Sequence, residues 1–381
     1  MRIMNKRNNL TKFALFREIL RDSERKPLLA ILNDLFSLSI YYRQFPRHYF
    51  SRYLFKKGTT NIKDYFPDDF LYSGIKPFLN NSECRDILEN KMFFHLYYSQ
   101  YKVPLPKILM FNHKTTFKTE GELTQITGFE QFITLLDKLF EIEPTRDSLF
   151  IKKLFWSYGG DKVYKIYRAQ VADRSQILAD LYTEVIKSCY LFQETVIQHD
   201  ALNKLNPFSL NTIRFDTFID KEGNVDLISG YIRMSINKNH VDNIFSGGCQ
   251  VGIDMKTGRL KKEGHSKLSY YGVNLLQSHP ITGTGFENFE IPHFESAKAM
   301  TVEAARLLPG LRIVGWDVAI GESGPVLIEG NSDYGMTGND LSEGGYRTNP
   351  VFRKVLFEVK DLNTSKYFKR LINRAIKEVA V

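Results

Sequence analysis

An α+β protein is the fold class this sequence predicts, with antiparallel hairpins interleaved with helices behind a helical, basic N-terminal region. Three observations predict it. Apolar or alternating runs come in pairs around turn-rich links at 149–166, 212–233 and 313–328, and each pair reads as a hairpin. Helical stretches lie before and between them, at 28–38, 82–101, 175–187 and 292–308. The chain has 381 residues, 43% hydrophobic and 13% aromatic, enough to bury a sizeable core split into two or three subdomains.

The net charge sits at the beginning of the chain. The whole protein carries +9, and residues 1–60, with 13 basic and 4 acidic side chains, account for all of it. Leu28, Ile31, Leu32, Leu35 and Leu38 repeat there at helical spacing, with aromatics from Phe36 to Phe55. Two expectations stay open: a helical layer packed on the body with a solvated basic face, or peripheral contact with an anionic membrane. No nucleic acid is expected as a partner, because no nucleic-acid motif accompanies the charge. Met1 to Asn9 lacks a signal-peptide core behind it, and no apolar run has the length of a membrane span. A cytoplasmic location is therefore expected, with the inner membrane surface as its variant. Cys84, Cys189 and Cys249 are widely spaced and form no CxxC pair, which fits reduced thiols.

Asn81 and Ser82 offer an N-cap for one helix running to about Tyr101, with Lys91 exposed near its middle, and Val103-Pro104-Leu105-Pro106 ends it. From Leu149 to Ile166 a strand, the loop Ser157-Tyr158-Gly159-Gly160 and a second strand follow. Gly159 and Gly160 let backbone N–H groups approach phosphates closely, although the same pattern suits an ordinary hairpin and no P-loop is present. Asn211 to Ser235 reads as two alternating strands around a turn at Asp220 to Asn224, and Arg214 and Arg233 interrupt them. A guanidinium turned into a cleft calls for an anion, which it meets bidentately; on an outer face the two would be plain surface residues. The tail from Asn349 to Val381 has helical spacing and basic residues, and is expected to pack on the body.

Gly315 to Gly335, GWDVAIGESGPVLIEGNSDYG, holds charges in odd places for a core hairpin. Asp317 lies inside its first strand, and Glu329 and Asn331 close the second. Alternation puts Glu329 and Asn331 on one face, roughly 6 to 7 Å apart along the strand, and hairpin pairing can bring Asp317 alongside. Three oxygen donors without Cys or His make a hard-cation site suited to Mg²⁺ and completed by nucleotide phosphates. The plainer alternative is a solvated hairpin tip.

GWDVAI followed by GPVLIEGN resembles the metal-binding hairpin of ATP-grasp enzymes, especially the branch of ribosomal-protein glutamate ligases and D-alanine–D-alanine ligases. More narrowly, the chain resembles the sugar-transfer-associated ATP-grasp proteins of polysaccharide gene clusters. The likeness covers roughly residues 85 to 345 and implies an ATP-grasp fold, two lobes with antiparallel sheets clasping ATP. In NKMFFHLYYSQYKVPLPKI it implies that Lys91 reaches the nucleotide phosphates. Lys152, rather than Lys153, matches the lysine on the α- and β-phosphates, though the family often has proline where Lys153 stands. Tyr190 to His199 resembles the hinge, which implies Gln193, Glu194 and Val196 beside adenine and His199 toward the ribose. Arg214 and Arg233, then Asp242, Asn243, Gly247 and Gly248, resemble the glutamate-ligase pattern. It implies that the arginines steady an acyl phosphate and that Asn243, Gly247 and Gly248 lie on the substrate side, with a second substrate-side loop from His279 to Gly283.

The domains so implied are a basic helical region at 1–84, a first lobe with the glycine loop at 85–192, a second lobe with the metal site at 193–348, and a C-terminal helix at 349–381. The implied activity is a carboxylate–amine ligase using ATP and Mg²⁺ on small-molecule substrates, one of them sugar-linked. A phosphotransferase with the same clasp, and a nucleotide-binding module without turnover, are the alternatives.

Overall fold

The computed structural model describes residues 12–155, 162–240, 242, 247–268 and 272–377. Among these residues two six-stranded antiparallel sheets organise the chain. The first comprises β1 (Ile108–His113), β2 (Thr116–Lys118), β3 (Leu123–Gln125), β4 (Ser148–Lys153), β5 (Val163–Tyr167) and β6 (Cys189–Glu194), in the order β3-β2-β1-β6-β4-β5. Alternation sorts its side chains. Met110, Ile151, Tyr190 and Phe192 face one way, into a core shared with Phe132 and Leu136 of a helix over Phe129–Glu141 and Leu178 and Leu181 of another over Gln176–Val185. Phe150, Lys152 and Gln193 face the other way, since Phe150 pairs with Gln193 and Lys152 with Leu191. β6 runs through Gln193 and Glu194, so both residues belong to the first sheet.

The second sheet comprises β7 (Thr212–Ile219), β8 (Val225–Ser235), β9 (Gly248–Ile253), β10 (Leu260–Ser266), β11 (Ile313–Gly321) and β12 (Gly324–Asn331), in the order β10-β9-β8-β7-β11-β12. One face, with Ile213, Phe215, Trp316 and Val318, forms an apolar core with a helix over Phe294–Arg306. The opposite face is divided along its length. At one end Phe218 and Ile313 enter the core of the N-terminal helices; at the other, Arg214 and Asp317 stand side by side in register. This division places a polar cleft at one end of the sheet.

The helices depart from the sequence reading in two places. In place of one helix from 82 to 101 there is a short turn, then α1 (Arg85–Glu89), a break at Asn90, and α2 (Lys91–Ser99). Asn90 is extended (φ −100°, ψ 111°), and its side chain accepts from Met92 and Phe93 N–H, as an N-cap does. Lys91 therefore opens a helix rather than lying in mid-helix. The C-terminal tail likewise forms two helices, α3 (Pro350–Leu362) and α4 (Lys366–Lys377), because Asn363 turns extended and donates its amide to Gly74 O at 2.9 Å.

The N-terminal region is not a separate unit. Tyr42, Tyr49, Leu54, Phe66 and Phe70 share one core with Phe352, Leu356 and Leu371 of the tail and with Ile313 of the second sheet. Arg52, fully buried, spans this junction to Asp340 (3.1 Å) and Asp68 (2.8 Å). The helix over Leu28–Tyr42 is two-sided: Ile31 and Leu38 are buried, whereas Leu28 and Leu32 lie exposed. Among the described residues no helix is long and apolar enough to cross a membrane.

Candidate active site

Side-chain alternation on β7, β8 and β11 brings three charges together. Asp317 accepts from Arg214 at 2.5 Å (Nε) and 3.0 Å (Nη2), and forms an ion pair with Arg233 Nη2 at 2.8 Å. Arg233 also donates to the Thr212 hydroxyl at 2.7 Å, and Asp242 accepts from the Thr212 backbone N–H at 3.1 Å and from its hydroxyl. Asp317 is 1% exposed. Burial opposes its charge, but Arg214 and then Arg233 outweigh it and hold the carboxyl well below the usual range. Nη1 of each arginine enters no hydrogen bond among the described residues, leaving N–H groups for an anion.

Glu329 stands directly opposite Asp317 in the β11–β12 register. Burial, and then the neighbouring Asp317 carboxylate, push its pKa up. Two opposed carboxylates, one of them short of a cation, form a donor set that a divalent ion would relieve. Asn331 completes the hairpin's oxygen donors. Its Nδ2 is buried without a hydrogen-bond partner, and turning the amide presents its oxygen instead. These residues fit Mg²⁺; among the described residues no cluster of three or more His, Cys, Asp or Glu competes for a softer metal. Gly330 between them carries no side chain because the Trp316 ring lies where a Cβ would go, at 2.9 Å.

Lys152 of the first sheet and Lys91 of α2 supply cations across the cleft. Lys152, Lys91 and Gln193 line one narrow space with Glu329, Leu88 and Ile328. Lys152 Nζ donates to Gln193 Oε1 at 2.9 Å, and Gln193 Nε2 donates to Pro106 O at 3.2 Å. Burial brings the Lys152 pKa down to about 8, with Lys91 adding to the effect and Glu329 opposing it. The space is only about 20 Å³, room for about one water. A wider cleft of about 570 Å³ lies alongside, lined by His95 and Ser99 of α2 and by Lys107, Phe111, Lys118 and Glu120; Asp317, Glu329, Arg214 and Arg233 do not line it.

The connection between the lobes is hydrogen-bonded on both sides. Glu194 accepts from Lys107 N–H at 2.8 Å with its side chain, while Leu327 N–H donates to Pro104 O at 2.8 Å. Val196 is half-buried just beyond β6. His199 caps a short helix over Asp200–Leu205, its Nδ1 accepting from Ala201 N–H at 3.1 Å, and its own N–H donates to Ile320 O at 2.9 Å. Glu322, on the β11–β12 turn, accepts from Asp200 N–H at 2.6 Å and so ties that turn to the helix. Gly247, at φ 96°, takes the left-handed backbone that glycine allows and leads into Gly248, the first residue of β9. His279 is buried, with Nε2 at 2.8 Å from Ser235 O. Gly159, Gly160 and Asn243 lie outside the described residues.

The structure thus brings Lys91, Lys152 and Gln193 against Glu329, and Arg214 and Arg233 against Asp317. Asn90 and Thr212 are the participants that reading the sequence did not assign. The signal for Asn90 was present, since an asparagine directly before Lys91-Met92-Phe93 is a cap pattern.

Two antiparallel lobes, facing lysines and a carboxylate hairpin define an ATP-grasp enzyme. More particularly, a profile of the family described as sugar-transfer associated ATP-grasp matches residues 73–349, most of the chain, and the protein belongs to that family. Among solved structures it is similar to a D-cycloserine synthetase (12% identity, 72% of this chain and 71% of that one, TM-score 0.40). It is also similar to the D-alanine–D-alanine ligase of Coxiella burnetii (8% identity, 78% and 60%, TM-score 0.37). A biotin carboxylase from Campylobacter jejuni shows 9% identity over 78% of this chain and 48% of its own, with a TM-score of 0.41. The chain thus spans less than two thirds of the latter two. No curated protein matches the sequence.

Proposed function

We propose that the protein is an ATP- and Mg²⁺-dependent carboxylate–amine ligase that joins an amino acid to a sugar or sugar acid in surface-polysaccharide synthesis. The observation that carries the reaction class is the Arg214–Asp317–Arg233 cluster beside Glu329, opposite Lys152 and Lys91. The sugar rests on the family's description alone. A carboxylate oxygen of one substrate attacks the γ-phosphorus of ATP and the β–γ bridging P–O bond breaks, giving ADP and an acyl phosphate. The amine nitrogen of the second substrate then attacks the carbonyl carbon, the C–O bond to phosphate breaks, and the amine loses a proton as the amide forms.

Negative charge crowds this path at each stage, so positioned cations supply most of the stabilisation. Lys152 from the first lobe and Lys91 from the start of α2 hold the phosphate chain. The Nη1 groups of Arg214 and Arg233 meet the acyl phosphate from the second lobe. Asp317, Glu329 and Asn331 would hold Mg²⁺, which supplies charge neutralisation at the phosphates. Gln193 keeps Lys152 aimed into the cleft and, with Glu194 and Val196, lies beside the adenine; His199 is on the ribose side. By the family resemblance, Gly159 and Gly160 would cover the phosphates, and Asn243, Gly247 and Gly248 would serve the substrates.

The test is ADP and free-phosphate release measured against a matrix of amino acids, uronic acids and amino sugars. Release that needs both a carboxylate and an amine, with an amide product by mass spectrometry, is the expected result. A stable phosphorylated hydroxyl product, or nucleotide binding with no turnover on any pair, would overturn it.

A further inference from the structure

The N-terminal helices carry an apolar face that the fold does not use. In the helix over Lys12–Arg21, Phe13 and Phe16 point outward, and in the helix over Leu28–Tyr42, Leu29, Leu32, Phe36 and Ile40 do the same. The spacing of three, four and four residues in the second helix puts its four on a single stripe. Every one of the six is between 52 and 81% exposed. Apolar surface scattered singly needs no explanation, whereas a continuous stripe of large side chains does. The buried side of the same helix, with Ile31, Leu38, Tyr41 and Tyr42, already supplies the core. The outward stripe is therefore surplus to folding.

Charge indicates what covers it. Arg17, Arg21, Arg43 and Arg47 are all exposed and enter no ion pair among the described residues. Two of the four carboxylates of this region are occupied elsewhere, Asp22 by Lys56 at 2.6 Å and Asp34 by Lys26 at 2.8 Å. The surface around the stripe is left strongly positive. Two copies meeting through it would press like charges together, which disfavours a dimer. An anionic bilayer has the matching pattern, an apolar interior beneath a negative surface.

We propose that this face docks the protein peripherally on an anionic membrane, with the leucine and phenylalanine stripe at the acyl-chain boundary and the four arginines at the level of the lipid phosphates. The inference is independent of the ligase reading, because it concerns a face with its own residues and its own readout.

Co-sedimentation of the full chain with vesicles of equal parts phosphatidylcholine and phosphatidylglycerol, and with phosphatidylcholine alone, tests it. Binding to the first and not the second is expected at low salt, fading as salt screens the arginines. The pair Leu32→Ser and Phe36→Ser should reduce binding at least about tenfold, and each of Arg43→Glu and Arg47→Glu at least about fivefold. The arginine changes lie on the surface and keep the test valid if the apolar pair disturbs folding. Leu123→Ser, at a similarly exposed residue on the first lobe (69%), should bind like the unaltered protein. Equal binding to both vesicles, binding to neither, indifference to these four substitutions, or a lipid-free dimer abolished by Phe36→Ser would overturn the proposal.

Discussion

Asp317 and Glu329 face each other across one hairpin but sit in opposite surroundings. Asp317 has two arginines, whereas Glu329 has a carboxylate beside it and only more distant lysines. The same charge-removing change should therefore have opposite effects on stability. Asp317→Asn leaves two buried guanidinium groups short of their counter-ion and should cost about 3 to 5 kcal/mol. Glu329→Gln relieves a like-charge contact, so its melting temperature should hold or rise while turnover falls by about two orders of magnitude or more. Calorimetry and Mg-dependent ADP release on the two variants check this; near-normal turnover in Glu329→Gln would remove the metal assignment. Lys152 and Lys153 make a second contrasting pair, since adjacent strand residues point to opposite faces. Lys152→Ala should weaken ATP binding in titration calorimetry far more than Lys153→Ala, whose side chain leaves the cleft. Asp216 offers a pH test. It accepts from Ser229 and Tyr346 with no cation beside it, and burial raises its pKa from 3.8 to about 6. Between those values the native state keeps a proton that the unfolded chain has released, so stability falls as pH rises from about 4 to about 6 and levels off above. Asp216→Asn should remove that slope, and the difference between the two pH–stability curves, about 3 kcal/mol across the window, is the quantity to measure.

At the scale of elements, the break at Asn90 decides where Lys91 points. Asn90→Ala removes two hydrogen bonds from the first turn of α2 and should cost about 1 kcal/mol. It should also weaken ATP binding, because Lys91 leaves the helix start that aims it at Lys152 and Glu329. Serine at the same position, another capping residue, should restore most of both. Glu322→Gln exchanges a charged acceptor on the Asp200 N–H for a neutral one, and a loss of about 0.5 to 1 kcal/mol is expected, where a bare hairpin tip would give none. The strands were legible because their alternation is local: Asp317 opposite Glu329 follows from a hairpin's own register. The helix break was not. Apolar spacing runs unbroken through 87–98, and only the capping chemistry of one asparagine divides it. Nor did the sequence declare that Arg214 and Arg233 share Asp317, since that depends on β11 lying beside β7 rather than beside another strand.

For the whole molecule, the three apolar cores show which parts stand or fall together. The first lobe has a core to itself, in which every buried residue falls between Met110 and Phe192. The N-terminal helices, the second sheet and both C-terminal helices are interlocked, with Ile313 and Phe218 in one core beside Tyr49 and Leu371. Composition alone showed the basic N-terminal segment but not this interlock, because residues some 300 positions apart in sequence meet only in the fold, as Arg52 and Asp340 do. Differential scanning calorimetry should resolve two transitions, one for the first lobe and one for everything else. Arg52→Ala strands the buried Asp340 and should lower the second by an amount worth about 3 to 5 kcal/mol, leaving the first within error. ATP with Mg²⁺ should raise both, since Lys152 belongs to the first unit and Glu329 to the second, and a ligand held by both stabilises both. A single transition shifted as a whole by Arg52→Ala would mean that the link through Pro104, Lys107 and Glu194 couples the lobes as tightly as either core couples itself.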